Sequence, residues 1–189
     1  MTHTENEDLL ELLSTDHREV EEMFGRLEAL AGGTSGEAKT LAERVVIELV
    51  RHSVAEEEYL YPTTREHVPG GAKLADQEIA EHAAAERTMK ALEGLGPGDA
   101  QFWPTVHTLM TEIRQHIDEE ERDLFPWLRD AVPASVLAEL GDKARTAKKL
   151  APTRPHPAAP DTPPLNKLLA PGAGLVDRVR DALTGRGKD

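Results

Sequence analysis

The stretches that decide the fold are HSVAEEEYLYP at residues 52–62 and HIDEEERDLFP at residues 116–126. Both fit one pattern, His-x3-Glu-Glu-x2-Leu-aromatic-Pro, so the second stretch repeats the first. Each is preceded by apolar residues at steps of three and four, the spacing that places side chains on one face of a helix. The repeat therefore predicts two helices that form related halves of a pseudo-twofold helical bundle.

Glycine and proline divide the first part of the chain into long helical segments. The apolar spacing predicts four helices, at about 6–31, 37–66, 72–94 and 99–130. The breaks between them are rich in glycine and proline, the residues that commonly end helices. Because short loops favour antiparallel neighbours, the prediction is an all-α, up-down-up-down four-helix bundle over residues 1–132.

A short fifth helix and a proline-rich tail are predicted after the bundle. Pro133 suits the first position of an accessory helix at 133–150. Residues 151–171 contain seven of the thirteen prolines, which predicts a largely disordered tail over 151–189. Within this tail, a candidate amphipathic helix at 174–185 places four apolar residues on one side: Leu175, Val176, Val179 and Leu183. A partner protein, the bundle and a membrane surface all stay open as its docking site, and the partner is unknown.

The composition excludes several classes of function. The 189 residues include no cysteine, so disulfides, thiolate metal sites and cysteine nucleophiles are excluded. The net charge of −13 is unevenly spread: residues 1–140 carry −18 and residues 141–189 carry +5. Such an acidic body argues against a nucleic-acid partner. The start lacks the features of a signal peptide, and no apolar run is long enough to span a membrane, so a cytoplasmic protein is expected.

A histidine interrupts the apolar stripe of every predicted bundle helix. In three helices a glutamate follows one turn later, which completes the set His17, His52, Glu56, His82, Glu86, His116 and Glu120. Buried ionisable groups are costly unless they are paired or bind metal. Imidazole and carboxylate together suit iron, manganese and zinc. The pattern predicts a metal site at one level of the bundle, with a purely structural polar layer as the alternative.

Further carboxylates lie near these residues in the sequence. Glu48, Glu78 and Glu112 each precede a histidine of the set by four residues. They are predicted either to accept the second imidazole N–H or to lie at the solvated edge of the bundle. Glu57 and Glu121 are expected to face a helix edge or solvent. The repeated leucine and aromatic residue are expected to form an apolar cap beside the metal.

As a set, these motifs resemble the haemerythrin-like, or HHE cation-binding, family over about residues 8–130. The resemblance implies a non-haem di-iron centre, with two iron ions bridged by two carboxylates and an oxygen species. Glu56 and Glu120 match the bridging positions. The terminal ligands that the resemblance implies are His17, His52, His82 and His116. Ferritin-like di-iron proteins use Glu-x-x-His instead, so that fold is set aside.

One departure from the oxygen-carrying haemerythrins bears on function. Those proteins have His-x3-His on the third helix and an aspartate five residues after the histidine of the fourth, where this chain has Glu86 and Glu120. An anionic oxygen ligand favours ferric iron, so the resemblance predicts reaction with oxygen, peroxide or nitric oxide, or sensing of them, rather than reversible oxygen carriage. Peroxide decomposition is the candidate activity, and whether the protein is an enzyme is left open. The alternatives are an iron-storing, buffering or sensing module, and a bundle that metal merely stabilises while the tail binds a partner.

Overall fold

The structure, a computed structural model, describes residues 7–158 and 165–187, and within these residues it is helical without β-strands. Two of the bundle helices are composite, because an α-helix continues through a π-helical turn into a short α-helix. The α-helices are α1 (Leu9–Ala29), α2 (Gly36–Ala55), α3 (Tyr61–His67), α4 (Gly71–Glu93), α5 (Phe102–Glu119), α6 (Phe125–Ala131), α7 (Ala134–Leu150) and α8 (Leu165–Thr184). The predicted all-α bundle with an added fifth helix is confirmed.

The two π-helical turns lie within the repeated sequence. They span Glu56–Leu60, between α2 and α3, and Glu120–Leu124, between α5 and α6. Each turn is followed at the second residue of the next helix by a proline, Pro62 or Pro126. Proline offers no N–H and its ring clashes with the carbonyl four residues earlier, so the backbone before it departs from regular α-helical bonding. Such turns insert one residue into a helix and often lie at functional sites.

Two apolar clusters form the core, one on each side of the histidine layer. The larger cluster includes Phe24, Leu49, Met89 and Phe102. The smaller cluster is formed by the start of α1, the aromatic residues of the repeat and the inner face of α7. The polar residues between the clusters are therefore held in place by packed apolar side chains above and below them.

Helix α7 covers the outer surface of α1 and α2. It follows Pro133, as the sequence predicts, and buries Leu137, Gly141 and Ala144. At Gly141 an added Cβ would lie 2.6 Å from the carbonyl oxygen of Glu7, so only glycine permits this close approach of α7 to the start of α1.

The structure differs from the predicted disordered tail in its described parts. Residues 151–158 lie against the bundle, and α8 starts at Leu165 rather than near 174. Asp177 and Asp181 of α8 are buried, whereas the four apolar residues named above are exposed. The acidic face turns inward because it meets Arg154, whose guanidinium lies 2.6 Å from Asp181. No helix of the described residues is long and apolar enough to cross a membrane.

Candidate metal centre

Four histidines, one from each bundle helix, converge at the centre of the molecule. The Nε2 atoms of His17 and His52 lie 3.2 Å apart, and those of His82 and His116 lie 3.3 Å apart. All four side chains are buried, with at most 8% of any residue exposed. The predicted convergence of separate helices at one level is thus what the structure shows.

Glu56 and Glu120 lie between the two histidine pairs and are completely buried. Glu56 Oε1 is 2.8 Å from His52 Nε2, and its Oε2 is 3.2 Å from His82 Nε2. Glu120 Oε2 is 3.5 Å from His17 Nε2, and its Oε1 is 3.7 Å from His116 Nε2. Each carboxylate therefore reaches both pairs, as a bridging ligand would.

The donor set fits metal ions better than it fits internal hydrogen bonding. Both oxygens of Glu56 and Oε2 of Glu120 are buried without a hydrogen bond of acceptable geometry, despite their short distances to histidine nitrogens. Buried polar atoms are rarely left in this state. Ligand atoms that all point at a common ion lie close together without hydrogen-bonding one another. Three overlapping groups have ligand atoms within 4.8 Å of each other: His17, His52, Glu56 and Glu120; Glu56, His82 and His116; Glu78, His116 and Glu120.

Glu86 is not in any of these groups of described residues. Its Oε1 accepts a hydrogen bond of 2.6 Å from the backbone N–H of His156 in the tail. Helix α4 runs antiparallel to α2 and α5, with Ala75 in the smaller cluster and Met89 in the larger one. A glutamate after His82 therefore lies on the opposite side of the histidine layer from Glu56 and Glu120. Glu78, four residues before His82, is in one of these groups with His116 and Glu120, whereas the sequence pattern predicted Glu86 as the ligand.

Every histidine of the centre has a carboxylate beside its second ring nitrogen. The Nδ1 distances are 2.8 Å from His17 to Glu121, 3.1 Å from His52 to Asp16, 3.2 Å from His82 to Glu57 and 3.0 Å from His116 to Glu78. The first three are hydrogen bonds, whereas the fourth is a close ion pair at a poor angle. A carboxylate at Nδ1 holds the proton there, so Nε2 presents its lone pair to a metal.

These outer carboxylates were only partly predictable. Glu78 was a candidate, whereas Glu57 and Glu121 were expected only at a helix edge or in solvent. Glu57 is largely covered and contacts His82, and Glu121 contacts His17 while 43% of its side chain stays exposed. Glu48 pairs with Arg51 at 3.0 Å instead. Asp16 was missed, because it is adjacent to His17 in sequence yet contacts His52 on the next helix. Spacing within one helix gives no signal for such contacts between helices.

The expected apolar cap beside the histidines differs between its two halves. The Tyr61 hydroxyl lies 2.9 Å from His82 Nε2 and donates a hydrogen bond of 3.3 Å to Glu120 Oε1. Phe125, its counterpart in the repeat, stacks on His17 with ring centroids 5.7 Å apart. Burial and nearby carboxylates hold the pKa of Tyr61 well above its usual value, so its hydroxyl stays protonated and available as a donor.

The histidines and carboxylates of the centre shift one another's pKa values. Burial acts to lower the pKa of His52, but Glu56 and Asp16 outweigh it and raise that pKa to about 9. Burial also opposes ionisation of Glu56, yet the surrounding histidines hold the pKa of Glu56 well below its usual range. The pKa of Glu120 is raised well above its usual range by burial and by the charge of Glu56. Without metal the centre therefore retains protons, which an incoming cation must displace.

A cavity of about 140 Å³ lies between the histidines and the larger apolar cluster. Its apolar lining includes Val20, Leu49, Met89 and Ile113. The four histidines line the cavity, whereas Glu56 and Glu120 do not, so small molecules have room beside the histidines on the side away from the two central carboxylates.

The bundle and its histidine–carboxylate layer define a class of cation-binding helical proteins, and the family comparison agrees. The model of the Hemerythrin HHE cation binding domain matches residues 8–128, so this chain belongs to that family. The match ends before α7, so the accessory helix and the tail lie outside it.

The individual relatives described below share less than 30% sequence identity with this chain. An uncharacterized hemerythrin-like protein of Schizosaccharomyces pombe is 27% identical over 169 residues, which is 89% of this chain and 82% of that protein. A DNA nickase of Nostoc sp. is 24% identical, and the match covers 73% of this chain but only 38% of that protein. The crystal structure of an HHE cation binding domain-containing protein from Mycobacterium kansasii has a TM-score of 0.65 and 23% identity, covering 76% of this chain and 86% of that one. At that identity the structural likeness shows the fold alone.

Proposed function

We propose that the chain holds a non-haem di-iron centre. His17 and His52 would hold one iron, His82 and His116 would hold the other, and Glu56 and Glu120 would be shared between them. The observation that carries the proposal is the pair of central carboxylates, which are fully buried, reach both histidine pairs and have oxygens without a hydrogen bond. Glu78 is a further ligand candidate at the second iron, and Glu86 keeps that role only if its carboxylate leaves the tail.

The proposed ligands are small oxygen or nitrogen species: oxygen, peroxide or nitric oxide. The cavity beside the histidines is of suitable size, and its mostly apolar wall admits small uncharged molecules more readily than ions. When bound, the iron pair would supply electron transfer to such a molecule. The chain's own residues supply orientation and exclusion of bulk water, while the Tyr61 hydroxyl holds Glu120 by a hydrogen bond on the opposite side of the histidine layer from the cavity. Decomposition of peroxide to water and oxygen, or sensing of these molecules, is the activity that this arrangement supports best.

Metal analysis of protein purified without added metal tests the proposal. We expect two irons per chain and an absorption spectrum of an oxo-bridged iron pair that changes on addition of peroxide or nitric oxide. His52→Ala and His116→Ala should each lose iron. His107→Ala, which removes an exposed histidine from α5, is the matched control and should keep both ions. A chain without bound iron, or equal iron contents in all three variants, would contradict the proposal.

Iron storage or buffering is the second candidate function. It is favoured by the acidic body of the chain, with a net charge of −18 over residues 1–140, which attracts cations. A buffering module would load and release iron without any spectral response to peroxide or nitric oxide. A reproducible spectral change together with turnover of peroxide would exclude a function limited to iron storage or buffering.

A further inference from the structure

A lysine from outside the matched domain reaches the histidine layer through one carboxylate. Lys148 Nζ of α7 contacts Asp16 Oδ1, and Asp16 Oδ2 lies 3.1 Å from His52 Nδ1. Only 10% of the Lys148 side chain and 6% of the Asp16 side chain are exposed. Burial that deep means that solvent screens little of the lysine charge. The contact therefore places a cation behind one particular ligand of the proposed centre.

The two halves of the centre consequently have different electrostatic surroundings. The half formed by His82 and His116 faces three carboxylates: Glu57 at 3.2 Å, Glu78 at 3.0 Å and Glu81 at 3.7 Å. The half formed by His17 and His52 faces Glu121 and Asp16, and Asp16 is the carboxylate that Lys148 contacts. Two bound cations would therefore experience unequal negative charge.

We propose that Lys148 is a positioning residue that weakens cation binding at the His17–His52 half, so that this half fills second and empties first. The lysine holds the Asp16 carboxylate against His52, but it also cancels much of the negative charge that this carboxylate presents to a bound cation. The inference rests on the proposed metal centre. It assigns control over one metal position to a helix that lies beyond residues 8–128.

Removal of the lysine and removal of the carboxylate should have opposite effects. Lys148→Met leaves Asp16 fully charged, so binding at the weaker position should become roughly tenfold tighter. Asp16→Asn removes the carboxylate behind His52, and binding there should become about tenfold weaker, in line with other losses of an outer ligand partner. If Lys148 only satisfied a buried charge, both substitutions would weaken binding.

The experiment is a Co²⁺ titration of the full-length chain by equilibrium dialysis, with bound metal counted by mass spectrometry. Wild-type protein should bind two ions with distinguishable dissociation constants, and only the weaker one should move in the variants. Lys149→Met, at the exposed neighbouring lysine, and Lys148→Arg, which keeps the charge, should both match the wild type. Melting curves of the metal-free variants show whether each is folded.

Three results would overturn the inference. A weaker or unchanged second constant for a folded Lys148→Met variant contradicts the proposed role of the charge. A Lys148→Met variant that fails to fold while Lys148→Arg shows altered affinity contradicts it equally, since the charge is then retained. Binding of fewer than two ions by the wild type contradicts the metal centre itself, which separates that failure from a failure of the lysine's role.

Discussion

At the scale of single residues, the position of a glutamate relative to its histidine decides its role. Glu86 and Glu78 are both four residues from His82, but they lie on opposite sides of the histidine layer. Glu78 is 1% exposed and 3.0 Å from His116, whereas Glu86 accepts a hydrogen bond from the tail. Sequence spacing predicted the four histidines, both central carboxylates and Glu86 as metal ligands. It named Glu78 only as a candidate partner of an imidazole N–H, because spacing alone does not include the direction of the helix.

Glu78 and Glu86 can be compared directly by the same substitution at each position. We expect Glu78→Gln to lower iron or Co²⁺ affinity by about 10- to 100-fold, because it removes the carboxylate beside His116. Glu86→Gln should leave that affinity within about twofold and affect only the contact with the tail. Equilibrium dialysis of both variants measures the difference. The reverse order of effects would restore Glu86 as the ligand that the sequence pattern predicts.

The raised pKa of His52 predicts how the metal-free protein responds to pH. Because Glu56 and Asp16 raise that pKa from 6.5 to about 9, the protonated histidine stabilises the fold. This contribution is complete below about pH 6.5, the value for the unfolded chain, and is lost as the pH rises through 9. Chelator-treated protein should lose up to a few kcal/mol of unfolding free energy between pH 6.5 and 9.5.

Urea unfolding at the two pH values measures this loss. Metal-loaded protein is the control, since a metal on Nε2 replaces the proton and should give a flatter dependence over the same range. Equal stability of the metal-free protein at both values would contradict the stabilising role of the His52 proton.

At the scale of elements, periodicity predicted the helices closely because glycine and proline mark their ends. The predicted segment 37–66 corresponds to α2, the first π-helical turn and α3, which together span 36–67. The π-helical turns were not predicted, since a single inserted residue barely disturbs an apolar stripe. Docking of α8 on the bundle was one of three alternatives that the sequence left open. The face that docks was not predicted, because its burial depends on Asp177 and Asp181 rather than on its apolar residues.

The contact between α7 and the start of α1 is testable through one glycine. Gly141→Ala should destabilise the protein by about 1–3 kcal/mol, because its Cβ would meet the backbone of Glu7 and Asp8 at 2.6–2.9 Å. Gly25→Ala is the control: Gly25 lies in α1 and an added Cβ meets nothing within 4 Å. That substitution should stabilise the helix by roughly 0.5–1 kcal/mol. Urea unfolding curves measure both, and a stable Gly141→Ala variant would show that α7 can shift outward.

At the scale of the whole molecule, the family match ends before the structure is complete. Helix α7 packs on α1 and α2, contributes Leu137 and Ala144 to the smaller apolar cluster and provides Lys148. Residues 8–128 alone would therefore leave this side of the cluster uncovered in water. The charge difference along the sequence has a structural counterpart here, because the basic segment supplies ion-pair partners for the acidic body at Asp16 and Glu93.

Two truncated chains separate the contribution of α7 to stability from that of the tail. A chain ending at residue 132 should be poorly soluble or unfolded, since it exposes the apolar surface of α1 and α2 that α7 covers. A chain ending at residue 158 keeps α7, Lys148 and the ion pair of Arg154 with Glu93, and its melting temperature should fall by only a few degrees. Solubility and thermal melts of both forms provide the measurement. A well-folded chain ending at residue 132 would show that the bundle is stable without its cover.

The π-helical turns decide where the chain tolerates a change in its residue count. A π-helical turn holds one residue more than the α-helical turn that it replaces, so the helix beyond it keeps the phase that it would have without that residue. Deletion of a single codon within Glu56–Leu60 would therefore return the segment to regular α-helix and leave Tyr61 close to its present phase. The same deletion within α2 would instead rotate everything beyond it by about 100° and carry Tyr61 away from His82 and Glu120. One-residue deletions are thus local changes inside the turn and changes of phase outside it.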